Sequence, residues 1–448
     1  MNRHLSMKLG AIALLIVLLL IPLLMIGGMI RDRQALRDGV VQDIARSSSF
    51  SQRVSGPILV VPFSKKVRTW KTREDSSERY LQETTEQGRL YFLPERLDLA
   101  TDVRTEPVSR GIYQARLYHA DNHFSGHFEL PAQLGVEREF ADYSFEAPFI
   151  AVGISDIRGI GSGLALQLDG QTLAFEPGSQ VGRLGAGVHA RLPALNTVQG
   201  ARLAFNFDLA LQGTEQLQVM PVGRNTGISM KSDWPHPSFI GNFLPAERSI
   251  SGDGFTARWQ TSFYATNLQQ TLGECLNAGA CDSFRNTTLG VSFVDPVDQY
   301  LKSDRAIKYA LLFVALTFAG FFLFEVLKKL AVHPIQYALV GVALAIFYLL
   351  LLSLSEHIGF SLAYLLSALA CVALIGFYVC HVLRSRRHGL GFALGLAALY
   401  GLLFGLLSAE DYALLMGSLL LFGLLGVFMV LTRKLDWYGI GRGLGHAQ

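Results

Sequence analysis

The stretch HPIQYALVGVALAIFYLLLLSLSEH, residues 333–357, decides the fold of this chain. Within it, the 22 residues from Pro334 to Ser355 include no charged side chain. A helix rises ~1.5 Å per residue, so a run of this length can cross the ~30 Å hydrocarbon core of a bilayer. The stretch therefore predicts a transmembrane helix.

Similar apolar runs occur on both sides of this stretch. Leu9–Ile30 is too long for the apolar core of a signal peptide, and no small-residue cleavage site separates it from Arg31, so it predicts an uncleaved signal anchor. Four further spans are predicted in the C-terminal part of the chain, at about 306–327, 358–380, 389–409 and 412–432. The prediction is a bundle of six transmembrane helices, one N-terminal and five C-terminal.

Residues 31–305 have a different pattern, with glycine and proline between short alternating segments. In Ala201–Leu209, apolar residues occupy the odd positions from Leu203 onward and polar residues face the other way. A period of two indicates half-buried strands. We predict a large β-rich, antiparallel, sandwich-like domain inserted between the first and second helices, in one or two halves because the region exceeds a usual single core.

The short loops predict the orientation of the chain, because basic loops remain in the cytoplasm. The loops on one side contain Glu356 and His357, or Glu410 and Asp411, without Lys or Arg. The loops on the other side carry the basic residues Lys328, Lys329, Arg384, Arg386, Arg387, Arg433, Lys434 and Arg442. This predicts a cytoplasmic N-terminal segment with its anchor at 1–30, a periplasmic domain at 31–305, a five-helix bundle at 306–432 and a cytoplasmic tail at 433–448.

The composition agrees with a membrane protein that has a water-soluble part. Half of the residues are apolar, 17% are charged and the net charge is +3. No basic block with interleaved aromatic residues is present, which argues against nucleic acid as a partner. The predicted partner is the lipid bilayer, with an envelope protein, lipid or glycan for the exported domain.

One histidine cluster is a candidate metal site. On a strand, His119, His123 and His127 would share a face with Asp121 and Glu129, and such groups can bind Zn²⁺. The favoured interpretation is a solvated strand face around a turn at Asp121-Asn122, because one strand spreads its ligands over ~13 Å. The sequence also lacks a nucleophile elbow, a phosphate loop and an HExxH motif, so we predict neither a cofactor nor an enzyme.

Two cysteines lie close together in the predicted exported domain. Cys275 and Cys281 are separated by five residues. An oxidising compartment would allow a disulfide between them, with free thiols or a metal site as the alternatives.

A transporter would need charged groups in the membrane interior. The first span and the last four contain no Asp, Glu, Lys or Arg, and Glu325 lies towards the end of the second span. The favoured role of Glu325 is a salt bridge at the helix end with Lys328 or Lys329.

Two small-residue pairs mark the fifth span. Gly391 with Gly395, and Gly401 with Gly405, would permit close approach of another helix. Packing within the bundle is the favoured interpretation and a dimer face is the alternative.

Several long motifs resemble the CreD family of cell envelope integrity proteins. They are the opening stretch, Gly56-Pro57-Ile58-Leu59, Trp234-Pro235-His236-Pro237-Ser238-Phe239, Phe322-Leu323-Phe324-Glu325, Glu410-Asp411-Tyr412-Ala413-Leu414-Leu415 and Thr432-Arg433-Lys434-Leu435-Asp436-Trp437-Tyr438. The resemblance implies an inner-membrane protein of Gram-negative bacteria that belongs to the output of the CreBC two-component system. It implies no catalytic residue. It leaves as candidate functional residues Glu325, His333, Glu356, His357, Glu410, Asp411, Trp234 and His236.

Three functional hypotheses follow. The first is a non-enzymatic envelope protein whose periplasmic domain binds an envelope component. The second is a transporter or lipid-handling protein that uses the helix bundle. The third is a periplasmic metal-dependent hydrolase that uses the histidine cluster.

Overall fold

The structure is a computed structural model that describes residues 3–72, 79–196, 198–293, 298–328, 332–382, 385–408 and 413–433. The described residues divide into two compact units. The membrane unit comprises those of 1–38 and 297–448, and the β unit comprises those of 39–296. The exported domain at 31–305 stays a prediction.

The β unit contains sixteen strands. They are β1 Gln52–Thr72, β2 Arg79–Phe92, β3 Arg96–Arg110, β4 Tyr113–Leu130, β5 Tyr143–Phe145, β6 Phe149–Ile154, β7 Ala165–Leu168, β8 Gln171–Pro177, β9 Gly187–Arg191, β10 Ala201–Thr214, β11 Gln216–Met220, β12 Asn225–Ser232, β13 Ser238–Gly241, β14 Glu247–Ser251, β15 Gly254–Ser262 and β16 Leu289–Ser292.

All sixteen strands belong to one hydrogen-bonded sheet. Its order is β13-β16-β11-β1-β6-β9-β8-β7-β10-β4-β3-β12-β15-β14, with β2 and β5 also paired to β1. A sandwich has two separate sheets, whereas here β8 pairs with both β7 and β9 and joins the two halves. The sheet is also mixed, because β1 pairs with β11 and β3 with β12 in parallel.

The predicted alternation is confirmed in β10. From Leu203 to Leu211 its odd-numbered residues are buried and its even-numbered residues are exposed. Leu203, Phe205 and Phe207 belong to a single apolar core that takes residues from both halves of the sheet. Burial of this face drives the fold, because apolar area removed from water stabilises by ~25 cal/mol per Å².

Short helices complete the β unit. Three are α-helical, α2 Phe263–Thr266, α3 Leu268–Ala278 and α4 Asp282–Asn286, and three are 3-10 turns at Ala132–Gly135, Phe140–Asp142 and Ile157–Gly159.

The first long helix, α1 Arg3–Ser47, extends well past the predicted anchor. Its residues up to Asp38 belong to the membrane unit and those from Gly39 to the β unit. In the β unit, Ile44 packs with Ala115 and Leu117 of β4. This apolar contact continues the helix beyond the end of its uncharged run.

The membrane unit has six further helices. They are α5 Gln299–Lys308, α6 Ala310–Lys328, α7 Pro334–Ile358, α8 Phe360–Val382, α9 Arg386–Ser408 and α10 Ala413–Thr432. By length and composition, four of the described helices can cross a membrane: α1, α7, α8 and α9. A fifth is added if α5 and α6, which meet at a bend of 46°, form one span. The sequence predicted this span as one run at 306–327.

Helices α8 and α9 approach each other closely at small residues. A Cβ added to Gly389 would lie 2.6 Å from the Cα of Cys380, and one added to Gly376 would lie 2.9 Å from the Cβ of Ala393. The predicted glycine pairs behave differently. A Cβ at Gly391, Gly395, Gly401 or Gly405 would meet no atom of a described residue within 4 Å. The interpretation of those pairs as packing sites within the bundle is therefore wrong for the described residues.

Candidate functional site

A groove crosses the exposed face of the sheet in the β unit. Even-numbered residues of β3 and odd-numbered residues of β4 point outward there, because neighbouring side chains on a strand alternate between faces. The groove consists of two depressions of about 580 and 530 Å³, and Asp121 of β4 lines both. One depression continues over β12, β14 and β15, and the other continues over β10 towards Gly159.

The groove has charges of both signs, and several of them are paired. Arg104 donates to Asp121 at 2.9 Å, and Arg258 lies 3.9 Å from Glu247. Exposed pairs of this kind contribute only ~0–1 kcal/mol to stability, so a partner can displace them at little cost. Lys231 has no acidic partner within 4 Å among the described residues. Exposed charges of both signs therefore line the groove.

The predicted histidines line up on this face without forming a metal site. The strand runs straight through Asp121-Asn122, so the predicted turn there is absent. His119 lies 3.9 Å from Glu106, and His123 lies 2.6 Å from Asp208. His127 lies 3.6 Å from Glu129. Each histidine thus faces a different carboxylate, and no group of three or more His, Cys, Asp or Glu side chains among the described residues could hold a metal ion.

One end of the groove is held to the segment that follows α1. Asp156 accepts from the backbone N–H of Phe50 at 3.0 Å, and Arg158 donates to both Asp156 and the carbonyl of Arg46. Hydrogen bonding to Arg158 holds the pKa of Asp156 below its ordinary value, against the opposing effect of burial. Gln52 adds hydrogen bonds to the carbonyls of Asp156 and Gln212 at 2.9 Å each. The groove is therefore contiguous with the junction between α1 and β1.

The cysteine pair forms a disulfide. Cys275 of α3 and Cys281, just before α4, are bonded and buried in the core of the β unit. The bridge joins α3 to the start of α4 and lies outside the residues that line the groove.

Trp234 and His236 stabilise a turn. The indole of Trp234 is buried, donates to the carbonyl of His236 at 2.8 Å and lies under the guanidinium of Arg116, 4.0 Å away. The ring of His236 is exposed and perpendicular to the indole. Trp234 therefore has a packing role.

In the membrane unit, Glu325 is the centre of a buried network. It forms an ion pair with Lys8 of α1, accepts from the hydroxyl of Tyr337 at 2.8 Å and accepts from the backbone N–H of Val332 at 3.1 Å. A buried carboxylate needs such partners, because the desolvation of an unpaired charge is very costly. The predicted partners Lys328 and Lys329 have side chains outside the described part of the chain, and the structure pairs Glu325 with Lys8 of another helix.

A second network lies at the other end of the membrane part of α1. Glu356 of α7 lies 3.7 Å from Arg33 and accepts from the hydroxyl of Tyr300 at 3.1 Å. Arg37 forms an ion pair with Asp298, which also caps α5. Lys8 and Arg33 are separated by ~38 Å along the helix, so the networks fix α1 to the bundle at both ends of its apolar run.

The remaining candidate residues lie at the ends of α7 or outside the described residues. His333 caps α7, accepting from the N–H of Ile335 through its ring, while Gln336 accepts from the N–H of His333. His357 is exposed in the last turn of α7. Glu410 and Asp411 lie outside the described residues.

Sequence reasoning missed the basic partners on α1. Its signal was present: basic residues flank the uncharged run of α1 on both sides, and acidic residues end other spans at Glu325 and Glu356. Sequence could not pair them, because the order of helices in the bundle was unknown.

Comparison with known proteins bears on the whole chain. The family described as "Inner membrane protein CreD" matches residues 4–438. This chain belongs to the CreD family. Inner membrane protein CreD of Escherichia coli (strain K12) is 38% identical to it over 425 residues, which cover 94% of this chain and 91% of that protein. The CreD description is that of an inner membrane protein and names no catalytic activity.

Solved structures add no chemical information. Two crystal structures of an M1 zinc metallopeptidase from Deinococcus radiodurans, one of them a mutant bound to a Tyr-Ser-Ala substrate, match at TM-scores of 0.20 and 0.19. They are 11% and 10% identical, and the matches cover 38% of this chain and 39% and 38% of theirs. Likeness at this level carries no argument about fold or activity.

Proposed function

We propose that this CreD-family chain is a non-enzymatic, multi-pass inner-membrane protein whose β unit is periplasmic and binds an envelope component. The main support for this proposal is the groove whose two depressions are both lined by Asp121. This groove is exposed, and the charged residues that line it form only weak ion pairs. A protein segment with both charges is the favoured partner, since complementary potentials guide such encounters. Lipid or glycan are the other candidates for the same surface.

The topology belongs to the same proposal. Six spans follow if α10, which is 20 residues long and has no charged side chain, crosses with α1, α7, α8, α9 and the bent α5–α6 pair. The positive-inside rule then makes both termini cytoplasmic and the β unit periplasmic. A reporter fused after Gln448 that proved active only in the periplasm would overturn this orientation.

A role in envelope integrity under CreBC control is the biological setting that we propose. It is supported by the family membership and by a water-exposed binding surface that is joined to a membrane bundle by α1. Because the groove adjoins the junction after α1, an occupant would contact the segment that links the β unit to its anchor.

Site-specific photo-crosslinking in intact cells tests the binding surface. A crosslinkable residue at Ser249 or Ala210, both exposed in the groove, should capture one defined partner. The same residue at Val198, which is exposed outside the groove, is the matched control and should not. Equal capture at all three positions would remove the groove from the proposal. Lys231→Glu should reduce capture at Ser249 while the chain remains folded.

A transporter is the second candidate. Glu325 is buried, but its three partners already satisfy its hydrogen-bonding capacity. Lys8 and Tyr337 lie on other helices, which supports an anchoring role. Transport that fails in Glu325→Gln while the bundle remains assembled would favour this alternative.

A further inference from the structure

An apolar cavity of about 830 Å³ lies between α6, α9 and α10 in the membrane unit. Its glycines are Gly320 of α6 and Gly391 and Gly395 of α9. A Cβ at any of these three glycines would meet no described atom within 4 Å. The glycines therefore leave space open and do not serve to bring two helices together.

Helix α9 uses its two sides differently. Gly389 and Ala393 lie on the side that meets α8, where Gly389 packs against Cys380. Gly391 follows Gly389 by two residues, which is ~200° around a helix, and so lies on the opposite side. That opposite side faces the cavity.

The lining offers almost nothing to a polar molecule. Thr317 is the one cavity residue with a polar side-chain atom, and its hydroxyl already donates to the carbonyl of Phe313 at 2.8 Å. The other lining groups are aliphatic, aromatic or glycine, for example Leu396 and Phe422. In a bilayer, hydrocarbon fills such a space, because an empty apolar cavity loses dispersion contacts and water finds no hydrogen-bond partner there.

Two arginines lie on α9 and just after α10, outside the residues that line the cavity. Arg387 precedes Gly391 by four residues and lies about one turn away on nearly the same side of α9. Arg433 follows Phe422 of α10 by eleven residues, about three turns, and lies on nearly the same side as well. Both arginines are exposed, and within the part of the chain that the structure describes neither has an acidic partner within 4 Å. Guanidinium groups here are complementary to a phosphate.

We propose that this cavity binds an anionic phospholipid, with an acyl chain between α6, α9 and α10 and its phosphate at Arg387 and Arg433. The apolar space selects a hydrocarbon chain, and the two arginines select the charge of the headgroup. Basic pockets between transmembrane helices bind anionic lipids by this combination. With the orientation proposed above, this lipid belongs to the cytoplasmic leaflet. The site itself is independent of the partner of the β unit.

Native mass spectrometry of the full chain tests the proposal. The protein, purified in mild detergent, is given equal amounts of phosphatidylglycerol and phosphatidylcholine. The wild type should retain phosphatidylglycerol in preference. A Cβ at Gly395 would meet no described atom within 4 Å, so Gly395→Leu places an apolar side chain in the cavity and should abolish this retention. Gly405→Leu is the matched control on the same helix, because its glycine is equally open but does not line the cavity.

The charge is tested separately. Arg387→Gln and Arg433→Gln should each lower the ratio of retained phosphatidylglycerol to phosphatidylcholine about fivefold. Arg31→Gln is the control, because Arg31 lies on α1, just after its uncharged run. This variant should leave the ratio of the two lipids unchanged. The arginine variants alter no packed side chain, so they remain informative if Gly395→Leu is unstable. Equal retention of both lipids by the wild type, or equal loss in Gly395→Leu and Gly405→Leu, would overturn the proposal. Either failure would leave photo-crosslinking in the β-unit groove unaffected.

Discussion

The membrane unit and the β unit place their charged residues in opposite ways. In the membrane unit, the Glu325 side chain is 6% exposed and held by Lys8, Tyr337 and a backbone N–H. In the β unit, the Glu247 side chain is 76% exposed and its ion-pair partner, Arg258, lies 3.9 Å away. The same residue type therefore holds a helix in place in one unit and remains exposed to water in the other.

The difference has a physical cause. A charge at the end of an apolar helix loses water on several sides, so it must find partners on neighbouring helices. A strand instead alternates its side chains, and one face of the sheet can remain in water without such partners. Ionic contacts therefore determine helix placement in the bundle, whereas core packing determines strand placement in the sheet.

The largest expected effect comes from removing the buried carboxylate. Glu325→Ala leaves Lys8, the Tyr337 hydroxyl and the Val332 N–H without their acceptor and should lower the free energy of unfolding by about 3 kcal/mol or more. Unfolding in mixed detergent and dodecyl sulfate micelles measures this. Glu247→Ala is the control and should change it by less than ~0.5 kcal/mol. Equal unfolding midpoints for Glu325→Ala and Glu247→Ala would contradict the difference between the two units. The midpoint of Glu325→Gln should lie between those of the two alanine variants.

The disulfide comes next. Cys275→Ala with Cys281→Ala removes a seven-residue loop closure and should destabilise the β unit by about 2 kcal/mol. Urea unfolding followed by circular dichroism measures the change. Reductant should shift the wild type towards the variant and leave the variant itself unchanged. Alkylation of both thiols in the native chain without reductant would show that the bridge is absent.

Acid stability tests the junction between α1 and the groove. Because the pKa of folded Asp156 lies below its ordinary value of 3.8, the ionised form contributes stability above that value, and the contribution is lost as pH falls through the lower folded pKa. Asp156→Asn should therefore flatten the loss of stability below about pH 4. Asp253→Asn, in the exposed turn between β14 and β15, should retain the wild-type profile. The same acid profile in all three proteins would disprove the role of Asp156.

The smallest effect is expected on the histidine face. His119→Ala and His123→Ala remove exposed side chains and should each change the free energy of unfolding by less than ~0.5 kcal/mol. Zinc content, measured by inductively coupled plasma mass spectrometry after dialysis against Zn²⁺, should be the same in wild type and variants. A stoichiometric zinc ion lost in either variant would revive the hydrolase hypothesis.

Sequence reasoning predicted the local features well and the contacts poorly. The alternation in Leu203–Leu211 and the apolar stretch from Pro334 are local properties, and both elements form where the pattern placed them. The extension of α1 to Ser47 depends on packing of Ile44 against β4, which a local pattern does not contain. From the sequence, the glycine pairs on α9 could serve either packing within the bundle or a dimer face. Only the positions of the neighbouring helices show which side of α9 is open and which is packed.

By itself, the sequence determined that this chain has an apolar helical part, a β-rich part and the motifs of the CreD family, because hydrophobic period and length report burial directly. Only the tertiary structure decided which charges meet. Lys8 and Glu325 are 317 residues apart, and Asp121 joins two depressions lined by strands from distant segments. Pairing over such separations depends on the order of helices and strands, which periodicity does not encode.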